Sequence, residues 1–468
     1  MASVVPKSMA VKSNYYNTRG YFHFKEEDGS VGLGEESVFS TLAKVEVEPA
    51  KSNANYVHLR FSHFNRYWQR KSDGSWFIAA ESNQPEEDTT NPSCTLFEPI
   101  KVPDDDPAGA GFFYLIHVQS GGRLLIDNDT FVFYVEFNPK SYQGYLKAAD
   151  MDALVKLPPL VAFKGLTGFV KGFRVDVRNF LQVSSYDRNE AFSRHQVRLM
   201  PDGHVRLLCE GWGLWWRLGA DDWIMGDATD ENAAGTLFWP LKIDGATIAL
   251  QNQSNGNFCR RLVVPGSVFT DSLSASESAP SRQAGLQVEE LVAERKISNV
   301  KFLMEYARVF DLEPYTAWKS EIPNDTDQDA NMAVVITYED SRSYSFGRSY
   351  TFPAGVPTTI EADLPFVGLG AAIAPSDYRI SAPLQWNAAN TMTSTVQATG
   401  FIPVPARHKA EVQYLGTRAT CSIPFTYTQS DKSSAPSGAT SETLQIDGIY
   451  TAVSCFQFNF NIINFKDL

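Results

Sequence analysis

At 468 residues the chain is long enough for about three domains of ~150 residues each. Its 41 Lys+Arg against 54 Asp+Glu leave a formal charge of −13, which repels phosphate backbones and argues against nucleic-acid binding through a basic face. Apolar residues at 43% and charged ones at 20% make a globular rather than a disordered composition, and no apolar run is long enough for a transmembrane helix.

Met1–Ser13 (MASVVPKSMAVKS) carries two lysines with no apolar core after them, so no secretory signal is expected. The expected location is cytoplasmic or nucleo-cytoplasmic, with the membrane occupied only on insertion. Cys94, Cys209, Cys259, Cys421 and Cys455 are odd in number, far apart and never CxxC, which predicts buried free thiols in a reducing compartment. The sequons at Asn128, Asn252 and Asn324 would matter only on a secreted chain.

Short alternating runs of Val, Phe, Tyr, Trp and Thr, broken by Gly, Asn, Asp and Pro, predict an all-β protein. The clearest helix candidate is Tyr145–Val155 (YLKAADMDALV), rich in Ala, Leu and Met and free of Gly and Pro. It lies where a linker is expected, because the segments on either side repeat each other. Val57–Trp76 (VHLRFSHFNRYWQRKSDGSW) matches Val205–Trp223 (VRLLCEGWGLWWRLGADDW), and Thr95-Leu-Phe-Glu-Pro-Ile-Lys-Val matches Thr236-Leu-Phe-Trp-Pro-Leu-Lys-Ile. Trp76 and Trp223 stand 147 positions apart, too far for one solenoid repeat, so each copy is a domain: 5–144 and 156–294 around a linker at 145–155.

Inside each copy, strand pairs with Gly/Asn turns recur about every 40 residues. Three such units closing on themselves make a β-trefoil, and a sandwich of similar length fits the same pattern. Ser267–Gln283 reads as a Ser-rich surface loop before a closing strand, Leu286–Val292. From 295 to 468 Trp becomes rare and longer alternating strands dominate a third domain, within which Asp431–Ser441 (DKSSAPSGATS) reads as a flexible loop.

No GxSxG elbow, HExxH, P-loop or strand-anchored GxGxxG occurs, nor any Cys/His cluster at metal spacing. The seven His are scattered, and the pairs Glu86-Glu87 and Asp221-Asp222 fall in polar loops. The chain is therefore expected to be no enzyme and to need no cofactor or metal. Its Trp-rich turns are better candidates, since a sugar offers C–H faces to an aromatic plane and hydroxyls to Asp and Ser. Asp73, Gly74, Ser75 and Trp76 form one such turn, and Asp221, Asp222 and Trp223 the other. Both indoles also precede apolar strands, so core positions for them fit as well.

The third domain contains a two-faced hairpin. Val356, Ile360, Ala362, Leu364 and Phe366 share one parity, as do Tyr378, Ile380, Leu384 and Trp386, and Glu361, Asp363 and Arg379 take the other. Between the arms, Phe366–Pro375 is apolar and Gly-rich. Arms of this length suit a tilted membrane-crossing strand of about 9–11 residues, with the apolar face to lipid and the charged residues lining a lumen. An ordinary half-buried hairpin has the same alternation, and Pro357 and Pro383 favour it, because proline cannot donate to a ladder.

The duplicated part resembles the amaranthin family of plant lectins through Ala43–Pro49, Asn65–Tyr67, Trp76–Ala79, Cys94–Pro99 and Gly256–Leu262. The rest resembles the aerolysin-type pore-forming module through Ile297–Phe302, the hairpin, and Ile446–Tyr450. The resemblance implies two tandem β-trefoil domains followed by an elongated aerolysin-like β-sheet domain with an amphipathic pre-stem hairpin. It also implies Gal/GalNAc-containing, T-antigen-like glycans as ligands. The implied assembly is a homo-oligomer, a dimer in solution and a larger ring as a pore, in a plant-defence role. The loop at Asp73–Ser75 departs from the family, where a longer loop carries Asn and aromatic side chains. The sequence thus predicts a two-headed lectin that delivers a pore-forming module. The competing reading is a non-lytic lectin or storage protein whose C-terminal domain no longer inserts.

Overall fold

The computed structural model describes residues 4–468 apart from 18, 107–109, 138–143 and 349–354, and no side chains at 374–377. Regular structure among these residues is β throughout, relieved only by single 3₁₀ turns. Two bodies are formed. The first runs to Arg295 and takes in Ser430–Glu442 and a short piece ending at Pro357, and the second holds the remaining third of the chain.

The duplication carries through to backbone detail in the first body. Val57–Phe61 and Arg66–Arg70 pair across a turn with Asn65 at φ +50°, and their counterparts Val205–Cys209 and Leu214–Leu218 turn at Gly213, φ +65°. Asn and Gly are the residues that tolerate this left-handed geometry. The next ladder slips by one residue between Tyr67 and Trp68 in the first copy, and between Trp215 and Trp216 in the second. This shared bulge turns one indole inward in each copy. Trp68, fully buried, packs on Phe61, Phe97 and Phe133, while Trp216 packs on Phe163, His195 and Phe238. Burying each indole removes on the order of 200 Å² from water, worth roughly 5 kcal/mol.

The stretch expected to be a linker helix is a strand. Leu146–Asp150 pairs with Ser8–Ser13 over five registered positions and touches Phe113–His117 on its other side. Leu286–Glu290 occupies the same place in the second copy, between Leu160–Lys164 and Thr247–Asn252. Two waiting ladders outweigh the modest helix preference of an Ala/Leu-rich run. Two expected loops are also shorter than predicted. Ser272–Glu277 is a strand with Leu273 and Ala275 buried, paired with Phe258–Leu262. Asp431–Ser433 continues the strand His408–Ser433, where Asp431 receives a two-pronged guanidinium from Arg295 at 2.7 and 2.9 Å.

In the second body long strands dominate: Arg308–Asn324, Ala330–Arg348, Asn390–Val404, His408–Ser433 and Thr440–Asp467. Its core includes Ile297, Phe346, Ile360, Leu364, Ile423, Phe425 and Tyr450. All five cysteines are free; four are buried, and Cys455 is only half-buried, contrary to expectation. Burial pushes the Cys209 thiol up to about 11 and the Cys421 thiol up to about 12, so both are protonated packing groups.

Candidate functional site

In the first copy the strand Arg66–Arg70 ends in a tight turn. The Gly74 N–H donates to the Lys71 carbonyl at 3.2 Å, and the Ser75 N–H donates to Asp73 Oδ1 at 2.8 Å. Gly74 sits at φ +83°, a geometry that the missing Cβ makes easy. Hydrogen bonding from Ser75 holds the Asp73 carboxyl below the usual range.

This turn forms one wall of a cleft of about 640 Å³. The turn between Phe22–Phe24 and Val31–Leu33 brings Lys25, Glu27, Asp28 and Ser30, and Thr130 and Val132 close the far side. Bridges from Ser30 to Ala79 and from Gly32 to Val132 fix these segments together. Asp28 accepts from the Ser30 N–H at 3.0 Å, the Ser30 hydroxyl at 2.6 Å and Lys71 Nζ at 2.9 Å. Burial raises the Asp28 carboxyl, but these donors outweigh it and hold it at about 2. Lys25 Nζ donates to the Thr130 carbonyl at 3.0 Å. The cleft thus offers fixed acceptors and donors around one aromatic wall, Phe77, an arrangement suited to a polyhydroxylated ligand.

Of the sequence candidates, Asp73 and Ser75 line the cleft and Trp76 does not. The Trp76 side chain is 46% exposed and meets Phe137 edge-to-face at 5.0 Å, with the Arg70 guanidinium 4.9 Å over its ring. Ser75 and Phe77, which flank it in sequence, line the cleft. Lys25, Asp28, Ser30 and Lys71 escaped the sequence reading, and the charged run Lys25–Ser30 (KEEDGS) was the available signal.

The second copy treats the equivalent residues differently. Asp221 and Asp222 both take left-handed φ values, +57° and +61°. Asp222 Oδ1 accepts from Asn255 Nδ2 at 3.0 Å. Trp223 is half-buried, edge-on to Phe180 at 5.9 Å and near Phe269 at 6.1 Å. The protein's own side chains therefore occupy Asp222 and Trp223, whereas Asp221 is exposed.

In the second body Thr358–Val367 and Ile373–Pro383 form an antiparallel hairpin, registered from Thr359↔Pro383 to Val367↔Ile373. Its tip is Gly368–Ala372, shorter than expected, with Leu369 80% exposed. Ile360, Ala362, Leu364 and Phe366 are buried in the core, and Ile380, Leu384 and Trp386 pack half-buried against it. Tyr378 is 36% exposed. Val356 and Trp386 lie beyond the paired strands, and 351–354 fall outside the described residues. On the opposite parity, Asp363 stands across from Arg379. Glu361 meets Lys296 Nζ at 3.0 Å, and that hydrogen bond holds its carboxyl below the usual range. Among the described residues no helix is long and apolar enough to cross a membrane, which leaves strands unconstrained.

Residues 3–130 match the family model described as the Agglutinin domain. No curated protein sequence matches the chain. Among solved structures it is similar to the lamprey immune protein, at 12% identity over 76% of this chain and 87% of that one, with a TM-score of 0.30. It is also similar to an aerolysin-like protein of Bombina maxima, at 12% identity over 36% of this chain and 99% of that one, TM-score 0.24. The parasporin-2 toxin of Bacillus thuringiensis aligns at 15% identity over 37% of this chain and 74% of that one, TM-score 0.23. TM-scores this low establish no activity for this chain.

Proposed function

We propose, with the agglutinin match as premise, that this chain reads glycans with its first copy and inserts a hairpin from its second body into a membrane. The reading rests on one conjunction: a polar cleft in the agglutinin-type copy and a two-faced hairpin occur in the same polypeptide. In this reading both copies are β-trefoils, at 5–144 extended by the closing strand Leu146–Asp150 and at 156–294, as their matching sets of strands and closing strands suggest. The glycans are Gal/GalNAc-type, with plant defence as the role.

The cleft holds the sugar between the Asp28–Lys71 pair, Asp73, Ser75 and the Phe77 ring. The Trp76–Phe137 pair offers a second, exposed aromatic surface beside it. The second copy contributes little affinity, because Asp222 and Trp223 already have partners within the fold.

Insertion has a simple energetic form. The strands Thr358–Val367 and Ile373–Pro383 span 10 and 11 residues, close to the ~9–11 that a tilted membrane strand needs. Moving Ile360, Ala362, Leu364 and Phe366 from protein core to lipid is nearly neutral, since both are apolar. Passing the larger of them through water costs roughly 1.5–3 kcal/mol each. One hairpin alone leaves its edge groups unsatisfied in lipid, so several chains must close a barrel together.

Binding separates the parts of this reading. Asp28→Ala and Ser75→Ala are expected to weaken binding of the full chain to a galactose-terminated glycan by about tenfold or more, and Asp222→Ala by less than about twofold. Calorimetry on the three variants checks this. Equal losses in all three would restore the two-headed reading, and unchanged binding in the first two would remove the cleft from it.

A further inference from the structure

The hairpin is not held by apolar burial alone. Arg342, on the strand Ala330–Arg348 of the same sheet, which does not pair with the hairpin among the described residues, has its guanidinium 5.3 Å from the Phe366 ring and 5.6 Å from the Tyr378 ring. Phe366 belongs to one arm of the hairpin and Tyr378 to the other, and the two rings meet edge-to-face at 6.3 Å. A guanidinium over aromatic faces is attracted by their quadrupoles, more strongly as water is withdrawn. One cation therefore touches both arms at the end nearest the tip.

The cation is itself anchored. Arg342 Nε and Nη donate to Asp340 Oδ2 at 2.9 and 2.8 Å, and Asp340 is 7% exposed. Its Oδ1 is buried without a hydrogen-bond partner among the described residues, so the buried carboxylate depends on Arg342 for its charge balance. Beside them the Ser454 hydroxyl donates to the Val367 carbonyl at 3.1 Å, which ties the strand end to the sheet. A cleft of about 400 Å³ runs between Asp340, Arg342, Cys455 and the strand end and tip at Phe366–Leu369. The tip therefore rests on a small polar latch with open space next to it, unlike the packed base around Ile360 and Leu364.

We propose that Asp340 and Arg342 form a latch that keeps the hairpin on the sheet of the water-soluble protein, and that opening it is the first step of hairpin release. This rests on the membrane reading above for its purpose, though the latch itself exists without a membrane. Arg342 is a positioning residue: it acts through Phe366 and Tyr378.

Hydrogen exchange on the full chain without lipid tests it. In Arg342→Gln the amides of 358–367 and 373–383 are expected to exchange about tenfold faster, while those of Asn390–Val404, paired to the same strand, stay within about twofold. Arg342→Lys, which keeps the charge, is expected to recover most of the protection. Tyr378→Leu, at a partly exposed site, is expected to loosen the same amides by about threefold or more, and it serves if Arg342→Gln does not fold. Unchanged hairpin exchange in Arg342→Gln and Tyr378→Leu, or equal loosening of Asn390–Val404, overturns the latch. Dye release from phosphatidylcholine vesicles bearing a galactosyl glycolipid is measured alongside. If exchange responds while no chain releases dye, the latch stands and the membrane reading falls. If the wild type releases dye while the variants leave exchange unchanged, the latch falls alone.

Discussion

Ile380→Lys is expected to lower dye release from glycolipid vesicles by about a hundredfold and to leave sugar binding intact. Ile380 stands opposite Ala362 in the hairpin and is only half-buried against the core. A lysine there can lead its ammonium into water in the soluble protein, at little cost to the fold. In a barrel the same position faces lipid, where a lysine near the midplane costs about 2–4 kcal/mol. Each chain in the ring adds that cost again. Glu361→Lys, on the charged face, is a useful contrast, because lumen substitutions tune ion selectivity and leave insertion possible. Wild-type dye release by Ile380→Lys would remove this face from the lipid contact.

Acid is expected to destabilise the second copy between about pH 6.5 and 4 through one buried imidazole. His195 is fully buried between Phe163 and Trp216, and its Nε2–H donates to the Val170 carbonyl at 3.1 Å. Burial disfavours the imidazolium and lowers the His195 pKa to about 4. The unfolded chain binds its proton near 6.5, so between about 6.5 and 4 the unfolded state carries more protons and stability falls with falling pH. The contribution is complete above 6.5 and gone by 4, a loss of about 3 kcal/mol, or about 10 °C in the melting temperature of a domain this size. His195→Gln, which keeps a donor without the titration, is expected to flatten that slope. Parallel slopes for the two proteins across pH 7 to 4.5 would refute the assignment.

The duplication was legible because both copies kept the same apolar positions around Trp68 and Trp216, and Thr-Leu-Phe-x-Pro survives in each. The hairpin was legible from alternation alone, since Glu361 and Asp363 fall between Ile360, Ala362 and Leu364 without interruption. The closing strand at 146–150 was not, because its local composition favours a helix and only distant partners, Ser8–Ser13 and Phe113–His117, decide the outcome. The cleft was half legible. Asp73 and Ser75 stand out beside a tryptophan, but Asp28 and Lys71 lie 43 positions apart and are joined only by folding. Trp76 misled for a related reason: its ring meets Phe137 and Arg70, residues distant in the sequence or on the preceding strand, and only folding brings them together beside the cleft. The latch was invisible for the same reason as the cleft, since Arg342, Phe366 and Tyr378 come from three different strands.

The account depends most on the hairpin leaving its sheet. Lys296 and Glu361 form an exposed ion pair between the strand Val292–Phe302 and the hairpin, at 3.0 Å. Cysteines placed at both positions in a Cys455→Ser background, then joined by a cleavable reagent about as long as the ion pair, fasten the first arm to its neighbour. The bridged protein is expected to bind the glycan normally and release no dye, with release returning once the bridge is cut. Full dye release from the bridged protein would contradict the account.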